Sequence, residues 1–535
     1  MSYVQPSDIG SFHGVTEEDV IRKIKRFSLL QICAKISPYF HTLRAKPQNS
    51  SLNHSALSKL SNFALLHCEI GDSLPNELIS DDDLRKLCQM INSLENNILK
   101  PNSTTDEKFS FLLTIATNQQ AYQFQNIYYG SAFWWYLLRD ETIKGYADAY
   151  FGMDAKNAFG GIFLLLNFFD DNGYVSAKSL FDRCRAESRS TFSHLLDRFA
   201  ISLEQFKKLK ESDPKYRTVN RESASYSILR DFPILKIRDG YFMPISGLLI
   251  RKVTDEIYYD LLRFNRAKDE NTANKFTKHF GIALQRLIDH VAQMTLNPKK
   301  TKVLSEFTKL KKGSPIHSAD LHFLEQDWLT LIQIKNRRAP LSVHWGDVGD
   351  YKRIIDESII QEYEQNLKVI RDRDIFYSEI PGINSTFKFI SVVIHTEGFI
   401  HLNEEPIRAF IRQKITEREC KFDKTPELNV CMDLLGYCNL LDFSLNANKH
   451  IFKILQDYRS YQENPEKTHR RLGNVLSLDF ANWIAIKSSS SGKKHPFYKK
   501  YSAEFLEFAI TFAGDNLLLA EGVAAQIRRE AAMVN

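Results

Sequence analysis

The sequence predicts an α/β (α+β) protein with a central αβββαβ core and mainly helical N- and C-terminal regions. Three observations lead to this fold class. Apolar residues recur at helical spacing in the N-terminal part, short strand-like runs begin near residue 225, and helical spacing returns beyond residue 403. A chain of 535 residues exceeds one ordinary core. We therefore expect a helical domain at 1–220, the core domain at 221–400 and a second helical domain at 401–535.

The composition is that of a folded, soluble chain. Hydrophobic residues make up 43% and charged residues 25%, which excludes a disordered protein. No apolar run approaches the roughly 18 residues of a membrane span, so no membrane partner is expected, and the first residues lack the order of a secretory signal. Seven scattered cysteines without a Cys-x-x-Cys pair argue against structural zinc and a disulfide scaffold. These features predict a cytoplasmic protein.

The N-terminal region reads as helical from residue 15 to about 215. Ile21, Ile24, Phe27 and Leu30 begin an amphipathic pattern that later segments repeat. Near residue 225 the pattern changes. Two short strands are expected at Tyr226–Ile237 and Tyr241–Ile245, around an Asp-Gly turn.

The core domain is predicted from the order of its elements. An amphipathic helix comes first, then three strands, a second helix and an apolar strand. The bounds expected for these elements are Asn274–Met294, Val303–Leu310, Ala319–Leu324, Trp328–Lys335, Asp350–Ile370 and Phe387–His395.

Three residues of this core form a candidate site. Asp320 precedes a strand, and Gln333 and Lys335 lie two positions apart on the next strand. Side chains on a strand alternate between faces, so Gln333 and Lys335 point the same way, and a hairpin would bring Asp320 beside them. Oxygen ligands for a divalent cation with an ammonium group nearby are what phosphodiester hydrolysis requires. The pattern therefore predicts a protein that cuts nucleic acid.

The αβββαβ order and this motif together resemble the PD-(D/E)XK nuclease superfamily, whose core is restriction-endonuclease-like. The resemblance covers roughly residues 274–395. It implies that Asp320 is the central metal-binding aspartate and that Lys335 is the catalytic lysine. Gln333 stands where the family usually has glutamate, and Glu306, on the strand before Asp320, resembles an extra acid of some members. Gln285, on the first helix, occupies a region where many members carry glutamate.

The function implied by the resemblance is that of a metal-dependent endonuclease, most simply of DNA. Mg2+ or Mn2+ would be bound by Asp320, Glu306 and the Gln333 side chain. Lys335 would orient or deprotonate the attacking water or stabilise the charge of the transition state. The helical regions are expected to sense a trigger, to bind a partner protein or to drive homo-oligomer assembly, as in bacterial anti-phage systems with this core.

Two departures from the family pattern support an alternative. Gln333 and Gln285 are neutral where carboxylates would bring charge, which favours a catalytically inactive, nuclease-like nucleic-acid-binding or scaffold protein. A third hypothesis is a helical interaction protein with a chance motif, in which Asp320 and Lys335 would lie far apart.

Basic residues surround the motif on both sides. Lys309, Lys311 and Lys312 come before it, and Arg337 and Arg338 follow it. Clustered positive charge suits a phosphate backbone, so we predict that these residues bind nucleic acid. The alternative is an ordinary solvated loop, because the net charge of the chain is only +6.

Two histidines flank the aspartate. His317 and His322 are candidate proton carriers. A histidine near a turn is also commonly a surface hydrogen-bonding group, and the sequence leaves both interpretations open.

Overall fold

The computed structural model describes residues 15–41, 54–69, 79–94, 104, 106–107, 109, 127–170, 172–182, 186–212, 227–254, 256–336, 343, 347–378, 380, 387–396, 402–403, 405–418, 430–463, 480, 483–484, 487 and 496–513. The chain divides into two compact units. The first unit takes its residues from Met1–Pro101, Thr117–Ala267 and Ala503–Arg528, and the second unit from Asn102–Ala116, Lys268–Ser502 and Arg529–Asn535. The three domains expected from the sequence stay a prediction.

The first unit is mainly helical, as predicted. Its helices are α1 (Glu17–Ile24), α2 (Leu29–His41), α3 (His54–His67), α4 (Asp81–Ser93), α5 (Ile127–Leu137), α6 (Glu141–Phe151), α7 (Ala155–Leu165), α8 (Ala177–Asp182), α9 (Ala186–Phe199), α10 (Leu203–Ser212), α11 (Ser227–Asp231), α12 (Ser246–Ile250) and α13 (Glu256–Lys268), with a 3-10 turn at Arg251–Val253. Helix starts follow from capping side chains. Thr16 forms a reciprocal capping box with Asp19, and Ser80 accepts a hydrogen bond from the Asp83 backbone.

The first unit also contains a small sheet, of which the sequence analysis predicted two strands and missed two. Its strands are β1 (Tyr174–Ser176), β2 (Ala200–Ser202), β3 (Ile234–Ile237) and β4 (Gly240–Phe242), in the order β1-β4-β3-β2. The Asp-Gly hairpin joins β3 to β4 as predicted. The predicted strand Tyr226–Ile237 is wrong in its first half, because Ser227–Asp231 is helical. Three-residue strands such as β1 and β2 are too short to show an alternating pattern.

The first unit also holds a buried network of ion pairs. Glu256 pairs with Arg230 and with Arg251, and Lys252 pairs with Asp260 at 2.9 Å. Burial raises the pKa of Glu256, but the two guanidinium groups hold it well below its usual range. A buried charge left without its partner is strongly destabilising, so this network constrains the packing of α11 and α13.

The second unit contains the predicted core. It begins with α14 (Glu270–Thr295), whose start is capped by Asp269 accepting from the Thr272 backbone at 2.7 Å. The remaining elements are β5 (Lys302–Ser305), β6 (Thr308–Lys311), β7 (Ser314–His317), β8 (Leu321–Glu325), β9 (Trp328–Lys335), α15 (Val348–Ile354), a π-helical segment (Ile355–Ile360), α16 (Gln361–Arg371), α17 (Arg373–Tyr377), β10 (Lys388–His395), α18 (Glu405–Glu417), β11 (Val430–Asp433), α19 (Leu434–Ala447), α20 (Ile451–Gln462) and α21 (Pro496–Ala513), the last of which has residues in both units.

A five-stranded mixed sheet organises the second unit. Its order is β11-β10-β9-β8-β5, with β9 at the centre. The pairs β5–β8 and β8–β9 are antiparallel, and β9–β10 and β10–β11 are parallel. The central strand has the predicted bounds, and the consecutive burial of its residues from Leu329 to Gln333 fits a strand covered on both faces. The α/β class is therefore confirmed.

Three predictions for this region need correction. The expected strand Val303–Leu310 is two strands, β5 and β6, because the chain leaves the sheet at Glu306 and forms a separate β6–β7 hairpin. The expected helix Asp350–Ile370 contains a π-helical segment. The region after residue 401 is not only helical, because β11 adds an edge strand to the sheet.

None of the helices among the described residues combines the length and the apolar character needed to span a membrane.

Candidate active site

The β8–β9 pair brings Asp320 and Gln333 together, as expected from the sequence. Leu321 is the register partner of Ile332, so Asp320 lies opposite Gln333 at the end of the antiparallel pair. The Ile334 backbone N–H donates to Asp320 Oδ2 at 2.6 Å. This bond fixes one carboxylate oxygen of Asp320 against the central strand.

The side-chain amide of Gln333 has two placements. In the first, Nε2 donates to Asn366 Oδ1 at 3.1 Å, and the carbonyl oxygen faces Asp320 Oδ2 and Glu362 Oε2, each 3.2 Å away. In the reversed placement, the amide nitrogen donates to these two carboxylate oxygens. In either case one amide atom of Gln333 lies between two carboxylates.

Glu362 is the residue that the sequence analysis missed. It lies on α16, and its Oε1 forms an ion pair with Lys335 Nζ. Both partners are largely removed from solvent, with side-chain exposures of 28% for Lys335 and 14% for Glu362. Lys335 thus lies beside the same carboxylate that approaches Gln333. Asp320, Gln333 and Glu362 are called here the carboxylate cluster, and Lys335 is adjacent to it.

Behind the carboxylate cluster lies a buried polar contact between α16 and the sheet. Asn366 is fully buried and donates to Ser391 Oγ at 2.7 Å and to the Leu331 carbonyl at 3.4 Å. Its Oδ1 is therefore turned toward Gln333. The reversed placement would set the Gln333 carbonyl oxygen 3.1 Å from Asn366 Oδ1, so it requires the Asn366 amide to be reversed as well.

Burial raises the pKa of Asp320 to about 7. The Ile334 N–H lowers it, while the negative charges of Glu362 and Glu306 raise it further and Lys335 lowers it. A carboxylate with this surrounding would be stabilised by a cation, which would offset the repulsion between the acids.

Glu306 lies close enough for its charge to act on Asp320, but it is not on a strand. It occupies the connection between β5 and β6. Gln285 Nε2 donates to Glu306 Oε2 at 3.1 Å, and His317 Nδ1 lies 3.1 Å from Glu306 Oε1. The two glutamines that stand where the family pattern has acids therefore have different surroundings. Gln333 lies in the carboxylate cluster, and Gln285 donates a hydrogen bond to Glu306.

The predicted basic residues are placed differently from one another. Lys311 forms an ion pair with Asp372 at 2.7 Å, while Lys312 lies exposed in the turn of the β6–β7 hairpin. Lys309 lies on β6 and is half-buried. Arg337 and Arg338 lie outside the described residues.

His322 is not a proton carrier at this site. Its ring is fully buried and stacks on Phe307, with ring centroids 5.4 Å apart, and its Nδ1 lies 3.1 Å from the Leu304 carbonyl. Burial lowers its pKa to about 4. His317 is the exposed one of the pair and contacts Glu306.

The chemistry of the carboxylate cluster fits a hard divalent cation. Within the described part of the chain, no three His, Cys, Asp or Glu side chains are arranged to hold a metal ion. Mg2+, however, is commonly held by one or two carboxylates and keeps several waters. Asp320 Oδ2 and Glu362 Oε2 each lie 3.2 Å from one amide atom of Gln333, which is the carbonyl oxygen in the first placement, so two carboxylates and one amide oxygen are close together.

Comparison with known proteins does not extend this picture: no protein-family model, curated protein or solved structure matches the chain.

Proposed function

We propose that this protein is a divalent-cation-dependent nuclease that hydrolyses phosphodiester bonds, with DNA as the expected substrate. Asp320, Glu362 and the carbonyl oxygen of Gln333 would hold Mg2+ or Mn2+. Lys335 would act on the attacking water or on the charged phosphate. Glu306 would contribute negative charge from the β5–β6 connection.

The observation that carries this proposal is the position of Glu362. Gln333 replaces a carboxylate expected on β9, which would leave Asp320 without an acidic partner on the sheet. Glu362 approaches from α16 and puts its Oε2 as close to the Gln333 amide as Asp320 Oδ2 is, at 3.2 Å each. Glu362 would therefore provide the second carboxylate that a cation needs, from helix α16 and not from the sheet.

The amide of Gln333 would respond to the cation. Without a cation, the Gln333 carbonyl oxygen and the two carboxylate oxygens repel each other. The reversed placement removes this repulsion, because the Gln333 amide nitrogen then donates to both carboxylates. With a cation bound, the first placement would direct the Gln333 carbonyl oxygen to the ion. Gln333 Nε2 would then donate to Asn366 Oδ1 at 3.1 Å. The buried Asn366–Ser391 contact then orients a ligand, as outer partners of metal ligands commonly do.

The residues of this chain have distinct roles in the proposed reaction. A bound divalent cation lowers the pKa of the attacking water and neutralises charge on the phosphate. The Ile334 N–H holds Asp320 in one orientation. Glu362 keeps the Lys335 ammonium beside the cluster, where it can donate hydrogen bonds to a phosphate oxygen as negative charge accumulates there. The burial of Gln333 limits access of bulk water.

The order of elements around the carboxylate cluster supports the proposal. Helix α14 is followed by β5, β8 and β9, then by α16 and β10. This is the αβββαβ order expected of a restriction-endonuclease-like core, with the β6–β7 hairpin inserted. A role in anti-phage defence, and partner binding or self-association through the helical regions, stay predictions.

A second candidate function is a nucleic-acid-binding or scaffold protein without catalysis. The observation in its favour is that Lys335 is paired with Glu362, so each neutralises the other. In that case the cluster would be a structural contact between β9 and α16.

A cleavage assay separates the two functions. Purified protein is incubated with supercoiled plasmid DNA and with RNA, in Mg2+, Mn2+ or EDTA. Asp320→Asn, Glu362→Gln and Lys335→Ala are compared with Asp327→Asn, which changes an exposed acid in the β8–β9 turn at the other end of the same strands.

We expect cation-dependent cleavage by the wild type and by Asp327→Asn, and none by the other three variants. Retained cleavage in Asp320→Asn or Glu362→Gln would remove the proposed site. Binding of DNA without cleavage by any form, in any cation, would support the second candidate.

A further inference from the structure

The β6–β7 hairpin, Thr308–His317, presents an apolar tip to solvent. Leu310 is 70% exposed, against 42% for Ile282 and 36% for Leu445, the other exposed large apolar residues among those described. Leu310 is the register partner of Pro315, which is also exposed. The outer face of the hairpin therefore carries an apolar cross-strand pair near its tip.

The turn of the hairpin contains a strained lysine. Lys312 has φ of +50° and Gly313 has φ of +80°, so both central residues are left-handed. Such turns favour Asn or Asp followed by Gly, and a lysine at the first position costs stability. The turn places exposed Lys312 at the end of the hairpin, two residues after Leu310. An unfavourable backbone position with an exposed charged side chain points to a role for that side chain.

The hairpin is anchored to helix α16, which carries Glu362, and to the residues that directly follow that helix and β5. Gln365, on the same helix as Glu362, donates to the His317 carbonyl at 3.3 Å, and His317 contacts Glu306. Lys311 pairs with Asp372, just after that helix, at 2.7 Å. His317 is three residues from Asp320, a span of at most about 11 Å. A ligand at the cluster therefore lies within reach of the hairpin.

The charge near the hairpin suits a polyanion. Segment 308–317 has three lysines and no acid, and segment 368–374 adds Lys368, Arg371 and Arg373 against Asp372 and Asp374. These six basic residues outnumber the two acids. A double-stranded nucleic acid with a phosphate at the cluster would therefore meet a positive surface along the hairpin.

We propose that the β6–β7 hairpin enters the major groove of duplex DNA, with Leu310 against base edges and Lys312 against the phosphates. This inference rests on the proposed function for its substrate. The major groove of B-DNA, about 12 Å wide, admits a two-stranded ribbon, and the thymine methyl offers an apolar contact there. The edge of the hairpin that carries Leu310, Lys312 and Pro315 would face the groove, because Lys311 pairs with Asp372 and Ile316 packs against the core of the second unit. The major groove of duplex RNA is too narrow for side chains to read, so the hairpin selects DNA.

Binding is measured in EDTA, where no cleavage is expected, with a fluorescent 30-base-pair duplex made with thymine, the same duplex with uracil, and an RNA duplex of the same sequence. Leu310→Ala is compared with Ile282→Ala and Leu445→Ala, which truncate the other exposed apolar residues. Lys312→Asn removes the charge while keeping a residue that the turn favours.

For Leu310→Ala we expect an affinity loss of about fivefold on thymine DNA and almost none on uracil DNA or RNA. The two control truncations should bind like the wild type. Lys312→Asn should bind DNA more weakly, with a salt slope lower by about 1, while its unfolding midpoint rises. Equal affinity of wild type and Leu310→Ala for thymine DNA would overturn the proposal, as would equal losses on all three duplexes.

The outcome is independent of catalysis. If the wild type never cleaves but shows this pattern, the hairpin proposal stands and the nuclease proposal fails. If the wild type cleaves plasmid DNA through the carboxylate cluster but Leu310→Ala binds normally, the nuclease proposal stands and the hairpin proposal fails.

Discussion

Lys335 and Glu362 form an ion pair although 27 residues separate them in the sequence. The pair joins the central strand β9 to helix α16 at the end of the sheet where Asp320 lies. Because Glu362 also approaches the Gln333 amide, one carboxylate connects the candidate lysine with the candidate cation ligands. This relationship makes Glu362 the residue whose replacement is most informative.

Glu362→Gln should reduce cation-dependent DNA cleavage by at least about 100-fold, because it removes one of two carboxylates around the cation and the partner of Lys335. The rate is measured on plasmid DNA in Mg2+. Glu364→Gln is the matched control, because Glu364 is on the same helix but pairs with Arg418. Equal rates for the two variants would contradict the role given to Glu362.

The contribution of Asp320 to the stability of the cation-free protein should fall as the pH rises from about 4 to about 7. In this range folded Asp320, with its pKa of about 7, keeps a proton that the unfolded chain, with an ordinary pKa of 3.8, releases. At this site the folded state then binds more protons, so the contribution of Asp320 to the free energy of unfolding decreases with pH. Buried His322, with its lowered pKa, acts in the opposite direction. Urea unfolding of the wild type and of Asp320→Asn at pH 5 and pH 8 therefore isolates the contribution of Asp320.

Asp320→Asn should reduce this pH dependence and should be more stable than the wild type at pH 8 without cations. Adding Mg2+ should stabilise the wild type at pH 8 and leave the variant unchanged. The same pH dependence of stability in the wild type and in Asp320→Asn would show that the pKa of Asp320 is not raised in the folded protein.

Asn366→Leu should weaken Mn2+ binding by about 10- to 100-fold, because Gln333 loses the acceptor that directs its carbonyl oxygen to the ion. The dissociation constant is measured by calorimetry on protein shown to be folded. Asn265→Leu is the control, since Asn265 is equally buried but donates to the Leu261 carbonyl in the first unit. Unchanged Mn2+ affinity in Asn366→Leu would mean that Asn366 has only a packing role.

Glu325→Gln should lower stability and leave catalysis intact. Buried Glu325 accepts hydrogen bonds from Thr301 Oγ1 at 2.6 Å and from the Ile451 and Phe452 N–H groups at the start of α20. Losing the charge at this cap should cost about 1–3 kcal/mol, measured by urea unfolding. Loss of DNA cleavage under conditions where the variant is folded would indicate an unrecognised link to the site.

The part of the site on the sheet could be predicted because strand geometry is local. A two-residue period fixed Gln333 and Lys335 on one face, and a short hairpin placed Asp320 opposite. Glu362 could not be chosen in this way, because Glu357, Glu362 and Glu364 are similar acids on one polar helix. The available signal was its spacing of four from Asn366, beside the buried face that Tyr363 and Leu367 form.

The break after β5 was hidden for a related reason. Val303–Leu310 has enough β-branched, aromatic and aliphatic residues to read as one strand, and nothing local shows that the chain leaves the sheet at Glu306. Strand β11 was missed because four residues between helical segments give little pattern. Its place is set by pairing with β10, which is a tertiary interaction.

The most direct measurement is a crystal structure of the protein soaked in Mn2+, with anomalous scattering used to locate the ion. We expect a peak in contact with Asp320 Oδ2, Glu362 Oε2 and the Gln333 carbonyl oxygen, with Gln333 Nε2 on Asn366. No peak at these oxygens at saturating Mn2+, with the Gln333 amide nitrogen donating to both carboxylates, would contradict the proposed cation site.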